Sequence, residues 1–258
     1  MATVGVILHI PHASTEIPPN EATKLAILGE TLAQELLRMT DRYVDELFDP
    51  GKRAARLVFP VSRLVCDPER FADDAIEPMA AKGMGAVYTM TSDGRVLRSS
   101  LDAEERQRLL DRYYVPHHER LERRVKQALD ATGHALIIDG HSFPSSPLPC
   151  DLDQAPLRPD ICIGTDVFHT PEWLQRTALD AFGDLGWRVE LNRPYAGSIV
   201  PSSFFQKDAR VHSVMVEVKR SLYMNEDTGE RFAGFDEARR KIQLALGAVI
   251  TDDIHAIP

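Results

Sequence analysis

The chain has 258 residues, of which 43% are hydrophobic and 27% charged, with a formal net charge of −9. That is an ordinary globular balance, with enough length to bury a core without disulfides. The acidic surplus excludes a nucleic-acid-binding protein built on clustered Lys and Arg. It leaves room for a small anionic substrate, because one local arginine can hold a carboxylate inside an acidic protein. Cys66, Cys150 and Cys162 contain no CxxC pair and read as free thiols of a reducing compartment. The opening stretch MATVGVILHIPHAS lacks a basic n-region, and no run approaches membrane-spanning length, so one cytoplasmic domain over residues 1–258 is expected, with no membrane segment.

In chain order, residues 4–10 are apolar and β-branched and predict a buried strand ending at Pro11-His12. Residues 21–38 carry apolar side chains at helical spacing. After Asp41, DRYVDELF predicts a second short helix with Val44, Leu47 and Phe48 on one face. Residues 55–66 predict one or two strands broken at Pro60, followed by the turn-rich loop DPERFADDAIEPMAAKGMG. A long helical pattern spans 102–130 with an interruption expected at Pro116, and residues 134–139 (HALIID) form a buried strand that Gly140-His141-Ser142 ends. Strands are further predicted over 160–166, 187–192 and 211–223, and helices over 171–185 and 235–249. Strands alternating with helices indicate an α/β fold, a three-layer sandwich around a mixed, mostly parallel sheet. In such sheets ligands sit beyond the carboxyl ends of the strands.

Three polar groups fall at such positions: His12 after the first strand, His141 after HALIID, and Asp41 after the first long helix. Two imidazoles and one carboxylate are a common ligand set for catalytic zinc. Spacing alone does not bring them together, and Asp41 also suits a helix N-cap. HExxH is absent. His9 reads as a core or edge histidine, and His117-His118 as solvated residues of a charged helix. Glu217 interrupts the apolar run VMVEVK. Alternation puts Val214, Val216 and Val218 on one face and Met215 with Glu217 on the other. Glu217 is then either the wet face of an edge strand or a general base. GHSF at 140–143 lacks the second glycine of a nucleophile elbow, and GMG at 83–85 is not a complete phosphate loop.

The segments IPHASTEIP (10–18), TDRYVDELFD (40–49), SRLVCDPERF (62–71), IIDGHSFP (137–144), NRPYAGS (192–198) and VEVKRSLYM (216–224) together resemble the N-formylglutamate amidohydrolase family. That family is similar to zinc carboxypeptidases and aspartoacylases, which implies a zinc-exopeptidase-like fold. The resemblance implies His12, Asp41 and His141 as zinc ligands, with Glu16 as the alternative acid. It implies Glu217 as catalytic base, Arg63 as the group polarising the scissile carbonyl, and Arg70 as the grip on the substrate carboxylate. Arg193 and Tyr195 of NRPYAG are further substrate-binding candidates, with Gly197 allowing close backbone approach. The implied reaction cleaves N-formylglutamate, or a similar N-acyl acidic amino acid, to formate and the amino acid, as at the end of a histidine-degradation route. The family's usual asparagine is Glu69 here. Its carboxylate either points away from the pocket or signals a different substrate. A non-catalytic carboxylate-binding member of the same fold is the alternative. The sequence leaves the oligomeric state open.

Overall fold

The computed structural model describes residues 5–49, 51–98 and 100–255. Six strands form one sheet: β1 (Val6–Ile10), β2 (Ala55–Val58), β3 (Ala135–Phe143), β4 (Ile161–Gly164), β5 (Val189–Leu191) and β6 (Val211–Lys219). Their order is β2-β1-β3-β6-β4-β5. Every neighbouring pair runs parallel except β4 and β6, which are antiparallel. The mixed, mostly parallel sheet read from the alternation of elements is therefore present. Val4, the first residue of the predicted first strand, lies outside the described residues.

The helices are α1 (Pro19–Ala22), α2 (Gly29–Met39), α3 (Val44–Leu47), α4 (Ala103–Leu109), α5 (Val115–Thr132), α6 (Glu172–Gly183) and α7 (Phe235–His255). Period-two alternation sorts the strand residues between two faces. Val6, Leu8, Ile10, Leu136, Ile138, Val214, Val216 and Val218 pack against α3, α6 and α7 through Val44, Leu174 and Ile242. Ile7, Ala135, Ile137 and Val211 pack against Leu121, Val125 and Ala128 of α5. The result is helix, sheet, helix in three layers. Among the described residues no helix is long and apolar enough to cross a membrane.

Several predicted boundaries move, each for a physical reason. The helix expected over 21–38 is broken between α1 and α2. Leu28 is extended and Gly29 takes a positive φ of 56°, which turns the chain so that Leu25 and Ile27 enter a cluster with Leu64, Met84 and Tyr88. Pro116 does not end the helical run. A five-residue π-helical segment, Leu110–Tyr114, joins α4 to α5 just before it, accommodating a residue that has no N–H and whose ring crowds the carbonyl four residues back. β3 does not stop at Asp139, because the ladder with β6 continues through His141↔Glu217 to Phe143↔Lys219. β6 ends at Lys219, and Arg220–Leu222 form a 3-10 turn. β6 lies between β3 and β4, so the edge-strand reading of Glu217 is overturned.

Gly140 permits the extension of β3. A Cβ there would lie 2.8 Å from Ile10 Cδ1 and 2.9 Å from Phe48 Cδ1, both on side chains that are 0% exposed. Gly140→Ala is expected to destabilise the fold by about 1–3 kcal/mol through overpacking, read as a lowered urea midpoint at unchanged slope. A wild-type midpoint would show that the contact yields freely.

Candidate functional site

The sheet face under α5 changes character along the strands. On β1 it runs from Ile7 to His9, on β3 from Ile137 through Asp139 to His141, and on β6 from Ser213 through Met215 to Glu217. His12 follows two residues beyond β1. Asp41 arrives from the end of α2, where its N–H donates to His12 O at 2.9 Å. A cavity of about 630 Å³ opens over these strand ends, lined among others by His12, Asp41, Glu69, His141 and Glu217. The three residues expected as ligands and the expected base thus share one pocket.

The two imidazoles tilt toward each other, with ring centroids 5.1 Å apart. Asp41 Oδ2 lies 3.3 Å from His141 Nδ1 and 3.7 Å from His12 Nδ1. Its other oxygen accepts from Arg220 Nη2 at 3.0 Å and Ser142 Oγ at 3.2 Å. On its far edge each ring faces a buried aspartate. His12 Nε2 lies 2.9 Å from Asp67 Oδ1, and His141 Nε2 lies 3.1 Å from Asp139 Oδ1. Glu69 does not point away. Its Oε2 is 3.1 Å from His141 Nε2 and 3.8 Å from His12 Nδ1. Ligand atoms of His12, Glu69 and His141 all lie within 4.8 Å of one another. His12 Nδ1, His141 Nε2 and Glu217 Oε2 are buried without a hydrogen-bond partner, since neither carboxylate near His141 Nε2 is aligned with it.

Charge governs the protonation states. Burial works against ionised carboxylates here, yet hydrogen bonds from His12 and His141 and the charge of Arg220 hold Asp41 well below the usual range. Asp67 is likewise held down against burial by Arg63 and His12. Burial and Arg63 disfavour the cationic form of His12, but Asp67 and Asp41 raise it overall. His141 is raised against burial by Glu69 and Asp139. For Glu217 burial is the leading cause of a rise, helped by Asp41 and Glu69.

The remaining candidates separate. Arg63 lines the cavity but is committed to Asp67 Oδ2 at 2.7 and 3.0 Å. Arg70 also lines it; its guanidinium is 3.8 Å from Asp67 and 3.9 Å from Glu77, and its Nε has no hydrogen-bond partner. Tyr195 faces the cavity with its hydroxyl 3.3 Å from both Arg158 and Asp151. Arg193 is not among the lining residues. It pairs with Glu190 at 2.8 Å and Asp153 at 3.5 Å. Glu16 is exposed and absent from the cavity wall. The solvated reading of His117-His118 is overturned: His117 is 0% exposed, and His118 lies 2.7 Å from Pro68 O with its ring tilted against Tyr114, centroids 4.1 Å apart. The serine of GHSF donates to Asp41 and accepts from Arg220, and Asp41 is itself committed to that arginine and to His141. Asp67, Asp139 and Arg220 are site residues that the sequence reading did not single out. Alternation from His141 points to Asp139; no comparable signal marks Asp67 or Arg220.

The sequence pattern of the family described as N-formylglutamate amidohydrolase matches residues 4–224. The N-formylglutamate deformylase of Pseudomonas aeruginosa is 28% identical over 248 residues, which cover 93% of this chain and 90% of that protein. The crystal structure of an N-formylglutamate amidohydrolase from Ralstonia eutropha superposes with a TM-score of 0.85 at 22% identity, covering 100% of this chain and 96% of that one. A protein from Agrobacterium tumefaciens superposes with a TM-score of 0.70 at 21% identity, covering 98% and 93%. The two structural likenesses establish the fold.

Burial moves the Glu217 carboxyl from its usual 4.5 up to about 8. Between those values the folded chain keeps a proton that the unfolded chain has released, so stability falls as pH rises through this window. In chelator-treated protein, Glu217→Gln is expected to remove that loss. The variant should match wild type near the unfolded value and exceed it by on the order of a few kcal/mol above about pH 8. Parallel pH–stability curves for the two proteins would contradict the buried-carboxyl account.

Proposed function

The chain belongs to the N-formylglutamate amidohydrolase family, and we propose that it hydrolyses the amide of N-formyl-L-glutamate, or of a close N-acyl acidic amino acid, to formate and the amino acid. The observation that carries the reading is the convergence of His12, Asp41, His141 and Glu217, from separate parts of the chain, on one buried cavity.

The donor set fits a divalent cation, zinc by its imidazole and carboxylate composition. His12 Nδ1 is an orphaned buried atom, and Asp41 Oδ2 faces Nδ1 of both rings. The far edge of each ring faces Asp67 or Asp139, the usual backing of metal-binding histidines. His12, Asp41 and His141 would hold the ion, with Glu69 against the edge of His141. The chemistry such an ion supplies is Lewis acidity toward a carbonyl and toward water.

Glu217 lies opposite His141 in the ladder, with an unpartnered oxygen. Its ionised form, which a nearby cation favours, takes a proton from the attacking water and returns it to the nitrogen of the breaking C–N bond. Arg70, not fully paired, docks the substrate carboxylate through its planar fork. Arg63, fixed by Asp67, sets a positive potential beside the carbonyl, and Tyr195 walls the far side. A cytoplasmic setting belongs to the same reading, supported by three buried, unpaired thiols.

Elemental analysis and turnover of N-formyl, N-acetyl and N-succinyl amino acids test the assignment. His141→Ala is expected to lose the bound metal. Glu217→Gln should keep the metal and lose about 10²–10⁴-fold in kcat, and a wild-type rate would end its role as base. Arg70→Met is expected to raise KM for N-formylglutamate about 10- to 100-fold, the size of a lost hydrogen bond to a charged group. An unchanged KM would move carboxylate docking elsewhere.

A further inference from the structure

A chain of buried polar side chains runs from the Nε2 edge of His141 into the layer between the sheet and α5. Asp139 Oδ1 lies 3.1 Å from His141 Nε2 and 2.8 Å from His9 Nδ1. His9 Nε2 in turn lies 2.8 Å from His117 Nε2. His9, His117 and Asp139 are at most 1% exposed. Register puts His9 beside Asp139 on adjacent strands. His117 comes from the first turn of α5, with Phe59 edge-on to its ring at 4.9 Å.

Proton positions along the chain follow by elimination. In the 2.8 Å contact between His9 Nδ1 and Asp139 Oδ1 the carboxylate oxygen accepts, so His9 Nδ1 carries the hydrogen. His117 Nδ1 is buried without a partner. A hydrogen there would be an orphaned buried donor, which is rarer and costlier than an unused lone pair. The hydrogen of His117 therefore sits on Nε2 and is donated to His9 Nε2, which leaves both rings neutral. Burial also pushes the basicity of His117 far down.

We infer that His9 and His117 are positioning residues, a neutral imidazole pair whose hydrogens are directed from His117 to His9 to Asp139, fixing that carboxylate against the metal-binding ring of His141. The role rests on the metal-site reading above. Apolar neighbours of similar volume would fill the space equally well, but they would leave Asp139 without its one aligned donor.

Two measurements test it. In nitrogen-15-labelled, metal-free protein, long-range proton–nitrogen correlation is expected to show His9 as the Nδ1–H tautomer and His117 as Nε2–H. A cationic His9, or a hydrogen on His117 Nδ1, overturns the direction of the chain. Zinc affinity by competition with a chromophoric chelator then reads the coupling. His9→Leu is expected to weaken zinc about 10- to 100-fold. His9→Asn, which keeps a donor toward Asp139, should bind close to wild type, and so should His117→Gln. His117→Leu, which leaves His9 without its donor, should fall between. Wild-type zinc affinity in folded His9→Leu and His117→Leu overturns the role alone, whereas a wild-type protein that binds no zinc overturns the metal reading and the role with it.

Discussion

The site depends on the parallel register of β1, β3 and β6. Because side chains alternate with period two, the pairing His9↔Asp139 commits Ile7 and Ile137 to the same face one step earlier, and His141 opposite Glu217 one step later. A slip of one residue in β3 would send Asp139 and His141 into the layer with Ile10 and Val216, and bring Gly140 to the pocket. Such a slip would bury two unmatched polar groups in the apolar layer, so the hydrophobic pattern enforces the geometry of the site. Gly140 is the point where both demands meet, since the core face there has no room for a Cβ between Ile10 and Phe48.

On that scaffold the chain buries an excess of negative charge. Asp41, Asp67, Asp139 and Glu217 are all buried and Glu69 is nearly so, against the guanidinium groups of Arg63, Arg70 and Arg220. Unpaired buried carboxylates are costly, and the surrounding groups respond accordingly. Asp67 gathers Arg63, Tyr88 and His12 on its two oxygens. Asp41 takes Arg220, His12 and His141 are raised, and the carboxyl of Glu217 is raised to about 8. A divalent cation held by His12, Asp41 and His141, as proposed, would supply the same missing positive charge.

What the sequence disclosed follows the strength of local patterning. Apolar, β-branched-rich runs marked β1, β3 and β6, and alternation along β6 placed Met215 and Glu217 on the face opposite Val214, Val216 and Val218, as observed. The meeting of His12, Asp41 and His141 came from the family resemblance, because their separations along the chain carry no spacing rule. Arg220 stayed hidden for the same reason, since it meets Asp41 only through the fold, and so did the contact of Asp67 with His12. His117 was misread since three of its near neighbours, His118, Glu119 and Arg120, are charged or polar. Yet it belongs to the buried stripe of Leu121, Val125 and Ala128 on α5, spaced as a helix requires. The split between α1 and α2 was illegible because Leu25 and Ile27 satisfy helical periodicity equally well while serving a tertiary cluster.

Glu69 has a different resolution from the two its sequence position suggested. It faces the pocket, so it does not escape the site by pointing outward. Nor does its charge have to be read as repelling an anionic substrate. It lies 3.1 Å from one ring of the candidate metal centre and 3.8 Å from the other. At such separations an interaction with a positive partner is worth about 4 kcal/mol at an effective dielectric near 20. The carboxylate raises His141, and so its field ends largely on the imidazoles or on the cation they would hold. Under the proposed function the substrate's own carboxylate falls to Arg70, one residue further along, whose guanidinium is turned toward Asp67 and Glu77. Both residues line the one cavity, and with the acid beside the imidazoles a negative charge at position 69 is compatible with the acidic substrate proposed.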